Sequence, residues 1–346
     1  MRLDKLRTIG FNLVRGPLTF VSYWSGYAIT PKPSVMYLEL TYRCNLRCGF
    51  CERWKVGPSL ASQELTTAQV KRILTEAYRI GVRYLGLTGG EVLLRRDIFE
   101  LGQFAKKLGM NVSIASNGTL INERNIDSVL SSFDSVAISF DGVSATTHDS
   151  LRGVPGAFEA ALATLTRLTS HKMACGINMV VNRQNFREIE DYINFFSKSV
   201  KHIQLTPIHN YEVSYLKVKE ELQGIDIDEF NKEWSRLSRK YPFLTRGFYR
   251  NLPLFLSDPT RLHSAFVCFA ASAVFFVDPY GEVFPCEFYR QSMGNLKEKS
   301  LVEIWREAGQ LRRLISSPQR PCVCWTHCIV PLNIKLTKYI ALKKSV

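Results

Sequence analysis

The 346-residue sequence predicts an α/β fold, an open partial (β/α)6 barrel followed by a small cysteine-rich unit. Three observations predict it. Short apolar runs alternate with segments of helical period over residues 35–207, the polar motifs each follow one of those runs, and cysteine is concentrated near residue 48 and beyond residue 266. Six β/α units fall short of the eight that close a full barrel, so ligands are expected on loops at the carboxyl ends of an incomplete one.

The expected strands are Val35–Leu40, Tyr84–Thr88, Asn111–Ala115, Ser135–Phe140, Gly176–Val181 and His202–Thr206. The first helix between them opens at Thr66 and Thr67, whose hydroxyls suit an N-cap. It carries Val70, Ile73, Leu74 and Ala77 on one stripe and stops at Gly81. Further helices are expected near 97–108, 122–131, 156–169 and 187–198. These elements divide the chain into a basic amphipathic N-terminal segment (1–34), the barrel core (35–210), a helical bridge (211–265), a cysteine-bearing unit (266–332) and a basic amphipathic tail (333–346).

An apolar fraction of 46% excludes a disordered chain and provides a sizeable core. Lys plus Arg number 45 against 31 Asp plus Glu, and the resulting +14 attracts anionic partners such as nucleic acid, an acidic peptide or a phospholipid surface. Part of the excess is terminal. Arg2, Lys5, Arg7 and Arg15 alternate with apolar residues, as do Lys335, Lys338, Lys343 and Lys344. Such helices suit a membrane interface, and more readily the capping of a barrel. Neither end has the roughly 18 consecutive apolar residues of a spanning helix, nor a signal-peptide cleavage pattern, so export is not expected. Nine cysteines, an odd number with three packed into eight residues, argue for metal ligation in a reducing compartment, hence a cytoplasmic protein, to which the basic ends add peripheral contact at the inner membrane surface as an alternative to capping.

After the first strand, Cys44, Cys48 and Cys51 form a C-x3-C-x2-C run that places three thiolates on one loop. Three thiolates suit a [4Fe-4S] cluster with one iron left open. A structural zinc site closes with four ligands, and the nearest fourth cysteine is Cys175. Cys175 itself, at the start of a strand, reads as a small core hydrophobe.

This loop, and the order of the motifs after it, resembles the radical S-adenosylmethionine (SAM) superfamily. The resemblance implies a partial barrel of the radical SAM type, with SAM chelated at the open iron and cleaved reductively to a 5′-deoxyadenosyl radical that abstracts hydrogen from carbon. It places Phe50 against the adenine, though the ring is also an ordinary packing aromatic. Gly89-Gly90-Glu91 after the second strand is similar to the segment receiving the cofactor's amino group, with Val92 where the family often has Pro. Ser116-Asn117-Gly118 and Ser139-Phe140-Asp141-Gly142 resemble segments lining the ribose and carboxylate; Asn117 and Asp141 fit Asx turns as well. His148, Arg152 and Gly153 follow, and Arg152 suits either the cofactor carboxylate or an ion pair.

Downstream stand Cys268, the Gly281-x4-Cys286 step, Gly294-Asn295-Leu296, Ile304-Trp305, and then Cys322, Cys324 and Cys328. A Gly-centred hairpin would bring Cys268 and Cys286 together. The pattern resembles the SPASM/twitch extension, whose full form has seven cysteines and two clusters. With five here, the resemblance implies one auxiliary [4Fe-4S] cluster on Cys268, Cys286 and two of Cys322, Cys324 and Cys328. A zinc site that includes His327 is the rival.

The expected reaction is an oxidative or bond-forming step assisted by the auxiliary cluster, on an organic substrate and with a reductant such as ferredoxin or flavodoxin. The basic ends point to a membrane-associated lipid or isoprenoid. The alternatives are a ribosomally made peptide, for whose leader-binding domain the 34 residues before the first strand look short, and a haem precursor. A non-enzymatic iron-sulfur or zinc scaffold for nucleic acid lacks any recognition motif here, and no nucleic acid is expected. Asp278, Tyr280, Glu287, Tyr289, His209 and Tyr211 are polar candidates with no constellation to assign a catalytic residue among them.

Overall fold

The computed structural model describes residues 18–200, 202–209 and 218–342. Expectations about Arg2, Lys5, Arg7, Arg15, Tyr211, Lys343 and Lys344 lie outside the described residues. The sheet has nine strands: β1 (Val35–Thr41), β2 (Tyr84–Gly89), β3 (Asn111–Ser116), β4 (Ser135–Ser139), β5 (Ala174–Val181), β6 (His202–Pro207), β7 (Val274–Val277), β8 (Glu282–Phe284) and β9 (Gly294–Asn295). Their order is β6-β5-β4-β3-β2-β1-β7-β8-β9, an open sheet in which β1 to β6 run parallel.

Each of the six expected strands is present, because its apolar residues are the ones that meet the outer helices. Met36, Leu38 and Leu40 of β1 are buried there, while Tyr37 and Glu39 alternate to the inner face. The Thr67–Ile80 helix buries Val70, Ile73, Leu74 and Ala77. It opens with a capping box between Thr66 and Gln69 and ends at Gly81, which takes a φ of 128° that a side chain would resist. Within the barrel core two helices were not foreseen, Arg53–Leu60 and Ala145–Arg152, and in the cysteine-bearing unit two more, Leu301–Glu307 and Gly309–Ser316. All four are short, so none displays enough turns to show a period.

The cysteine-bearing unit extends the barrel sheet: β7 pairs in parallel with β1, from Val35↔Val274 to Leu38↔Val277. The expected hairpin then turns at Asp278–Gly281, where Asp278 accepts from the backbone N–H groups of Tyr280 and Glu282, both at 2.9 Å. At the N-terminal side, the 18–24 helix packs Phe20 and Tyr23 onto Phe269, beside Leu336 of the Val330–Leu342 helix. Its outer residues Leu18, Val21 and Trp24 are exposed. Among the described residues, no helix is long and apolar enough to cross a membrane.

Candidate active site

The loop carrying Cys44, Cys48 and Cys51 is clamped from three sides by backbone. Gly90 N–H donates to the Thr41 carbonyl at 2.7 Å and Glu91 N–H to that of Arg43 at 2.8 Å. A Cβ on Gly90 would stand 2.2 Å from the Arg43 oxygen, so the Gly-Gly pair is what lets the turn after β2 lie on the cysteine loop. On the other side, Arg47 N–H donates to the Arg152 carbonyl and Gly49 N–H to that of Leu151. Gly57 of the Arg53–Leu60 helix backs the start of the loop, where a Cβ would meet the Tyr42 carbonyl carbon at 2.3 Å.

The three cysteines line a cleft of about 1450 Å³, mouth included, at the carboxyl ends of the strands. Phe50, Gly89, Gly90, Ser116, Asn117, Ser139 and Arg152, all picked out from the sequence, line the same cleft. Glu91 and Asp141 do not: both are fully buried behind the wall. The Glu91 carboxylate accepts from Ser116 Oγ at 2.9 Å and from Asn117 N–H at 2.8 Å. Asp141 pairs with Arg152 at 2.7 Å. Burial raises both carboxyls above their ordinary range, opposed by the Asn117 N–H for Glu91 and by the Arg152 guanidinium for Asp141. They brace residues that face the cleft.

Sequence reasoning missed the opposite wall. Glu39, wholly buried on β1, holds Arg53 at 2.5 Å and Arg290 at 2.7 Å, and Arg53 reaches on to Glu287 at 2.9 Å. Burial works to raise Glu39, but Arg290 and Arg53 outweigh it and keep the carboxyl below its ordinary range. The signal was legible: a glutamate in the middle of an apolar strand. Glu287, Phe288, Thr326, His327 and Cys328 complete this wall, together with Thr88, Asn178 and Thr206 at the strand ends.

A second, small cavity is lined by Cys268, Cys286, Cys322 and Cys324, with Arg320 beside them. Cys328 is not in it. That thiol faces the large cleft, against the Tyr37 hydroxyl and near Glu287 and Arg53. Cys175 is buried in the core, as expected. Of the remaining polar candidates, His209 and Glu287 line the cleft, whereas Asp278, Tyr280 and Tyr289 do not.

Residues 38–196 match the family described as the radical SAM superfamily, and residues 268–329 the SPASM iron-sulfur cluster-binding domain. An AdoMet-dependent heme synthase of Methanosarcina barkeri is 30% identical over 83% of this chain and 86% of its own. The chain belongs to the radical SAM superfamily. A PqqA peptide cyclase of Rhizobium meliloti is 26% identical over 84% of this chain and 78% of its own. The crystal structure of Streptococcus suis SuiB bound to S-adenosylmethionine shares the fold, with a TM-score of 0.65 at 18% identity, covering 88% of this chain and 75% of that one.

Membership in this superfamily brings a [4Fe-4S] cluster and SAM, the SPASM match brings auxiliary iron-sulfur chemistry, and the residues present fit these groups. Burial raises Cys44 and pushes Cys48 up to about 12, a cost that a metal charge placed among the thiols would offset. Sulfur-directed donors are in place: Leu46 N–H at 3.4 Å from Cys44 Sγ and Arg152 Nη1 at 3.8 Å from Cys48 Sγ. No three of the described His, Cys, Asp or Glu side chains are close enough to share a single metal ion. At the second cavity, buried Arg320 spends its hydrogen bonds on the carbonyls of His263, Phe266 and Leu262. Its charge lies on the wall of the cavity that the four cysteines share.

Proposed function

We propose that the protein oxidatively modifies a side chain of a haem precursor, with Cys44, Cys48 and Cys51 holding the SAM-binding cluster and Cys268, Cys286, Cys322 and Cys324 the auxiliary one. The observation that carries this reading is the 322–328 loop, whose first two cysteines line the small cavity while Thr326, His327 and Cys328 line the cleft. A substrate in the cleft therefore lies within one short loop of an electron acceptor. The heme synthase relative supports the substrate class.

When bound, these groups supply hydrogen abstraction from an unactivated carbon and an acceptor for the electron left behind. The chain's own part is position and exclusion of water. Phe50, Gly89, Gly90, Ser116, Asn117, Ser139 and Arg152 form the wall against which SAM would lie, braced by Glu91 and Asp141. Glu287, held in place by Arg53, is the one carboxylate among the described residues lining the cleft, and would take up a proton released there. A low-potential reductant of the ferredoxin or flavodoxin class would start each cycle.

Peptide maturation is the second reading, supported by the peptide cyclase relative. Both are favoured over the lipid or isoprenoid substrate expected from the basic ends. Peripheral contact with an anionic membrane is retained, supported by exposed Leu18, Val21 and Trp24 beside a basic terminal sequence.

The test uses anaerobically reconstituted full-length protein with dithionite and SAM, offered ferric coproporphyrin III. SAM-dependent loss of mass from the porphyrin, with 5′-deoxyadenosine formed, is expected. Release of 5′-deoxyadenosine with an untouched porphyrin would sink the haem reading, and no release at all would sink the radical chemistry.

A further inference from the structure

Neutral and charged donors reach different cysteines of the first set. Cys44 Sγ faces the Leu46 backbone N–H at 3.4 Å and the Asn117 side-chain amide at 4.0 Å. Cys48 Sγ instead faces a cation, Arg152 Nη1, at 3.8 Å. That guanidinium is held on every side. It is buried, its Nε lies 2.7 Å from the wholly buried Asp141 carboxylate, and its carbon sits 5.4 Å from the centroid of the Phe50 ring.

The backbone keeps it in register with the sulfur. Leu151 and Arg152 end the Ala145–Arg152 helix, and their carbonyls accept from Gly49 N–H at 3.1 Å and Arg47 N–H at 2.9 Å, the residues on either side of Cys48. Gly153 then turns the chain away at a φ of 69°, where a Cβ would stand 2.4 Å from the Arg47 carbonyl oxygen. One helix end therefore meets the Cys48 segment three times, twice through carbonyls of partial negative charge and once through a full positive charge. The carbonyls alone would make the surroundings of Cys48 more negative, and the guanidinium reverses that sign.

Reduction adds an electron to a cluster already ringed by thiolates, and the charge and hydrogen bonds at its sulfurs set how readily the electron is accepted. A buried guanidinium acts there with little screening. We propose that Arg152 is a positioning residue whose held charge acts through Cys48 to raise the reduction potential of the SAM-binding cluster, with Asp141 limiting the rise. The proposal rests on the placement of that cluster on Cys44, Cys48 and Cys51 and is independent of the substrate. It carries a sign pattern that a merely structural role lacks. Removing the cation lowers the potential and removing its counterion raises it, whereas a loosened loop would move both the same way.

The experiment is an EPR-monitored redox titration of anaerobically reconstituted full-length protein without SAM, the cluster signal being the one that added SAM perturbs. Arg152→Gln is expected to lower the midpoint by at least about 59 mV, the equivalent of a tenfold change in a one-electron equilibrium. Asp141→Asn should raise it, Arg152→Lys should fall between wild type and the glutamine variant, and the auxiliary cluster should keep its midpoint in all three. Should the glutamine variant lose its iron, Arg152→Lys and Asp141→Asn carry the test. An unchanged midpoint at position 152, or shifts of the same sign for the two charge removals, would overturn the proposal and leave the cluster placement standing. Weakened SAM binding with no change of potential would do the same, making Arg152 a ligand of the cofactor alone. A SAM-perturbed signal that persists when Cys44, Cys48 and Cys51 are all changed to alanine would overturn the placement as well.

Discussion

Glu39 is a charged side chain inside an apolar strand, tolerated because Arg53 and Arg290 close on it and Tyr42 donates to it at 2.9 Å. Removing the carboxylate leaves two guanidiniums in a buried wall, so Glu39→Ala should cost about 3–5 kcal/mol in chemical denaturation. An unchanged midpoint would show the network to be dispensable. The cysteines separate at the same scale. Cys324→Ala should lower iron from about eight to about four per chain, whereas Cys328→Ala should keep about eight; equal losses would mean that Cys328 is a ligand. His148 gives the fold a pH dependence. Burial, and then the Arg152 charge, lower it from 6.5 to about 3. The folded protein therefore keeps it neutral while the unfolded chain takes up a proton below about pH 6.5. Stability is complete above that pH and is lost as pH falls toward 3, by about 1.4 kcal/mol per pH unit for this group. Denaturation midpoints at pH 7, 6 and 5 check it, and His148→Asn should flatten the slope by about one proton.

The loops that hold the first cysteine set depend on contact between backbones. Gly90→Ala puts a Cβ 2.2 Å from a carbonyl oxygen that cannot swing away as a side chain would. The change should destabilise the protein by about 1–3 kcal/mol and speed loss of iron to a chelator, with the auxiliary cluster retained. Equal iron retention in variant and wild type would show that the loop does not need this contact. Strands and long helices were legible because each has a buried face that imprints a period on its residues. The Ala145–Arg152 helix was not, although Arg152 and Gly153 had been singled out. Its role is to bring the Leu151 and Arg152 carbonyls to the cysteine loop, a contact about a hundred residues distant in sequence, which no local pattern records.

Across the whole molecule, one sheet carries both cysteine sets, because β7 adds to the edge of β1 and sets the tail against the mouth of the barrel. The outer face of the 18–24 helix lies at the same end of the chain as the basic sequence before it. The protein should therefore sediment with anionic vesicles at low salt and not with neutral ones. Trp24→Glu should weaken that binding with cluster content unchanged; equal binding to both vesicle types would remove the membrane contact.

The sequence by itself determined the fold class, the strand positions and the cluster-binding loop, since each is written in local spacing (period two, period 3.6, or cysteines three and four apart), and the cofactor class through the resemblance its motifs carry. Only the tertiary structure decided that Cys322 and Cys324 join Cys268 and Cys286 while Cys328 turns to the cleft, that Glu91 and Asp141 brace the cleft wall from behind, and that Glu39, Arg53, Glu287 and Arg290 form one network. The physical reason is the same in each case. These side chains are buried, so which neighbours satisfy their charge and hydrogen bonds depends on how distant segments pack, and that information is spread over the whole chain.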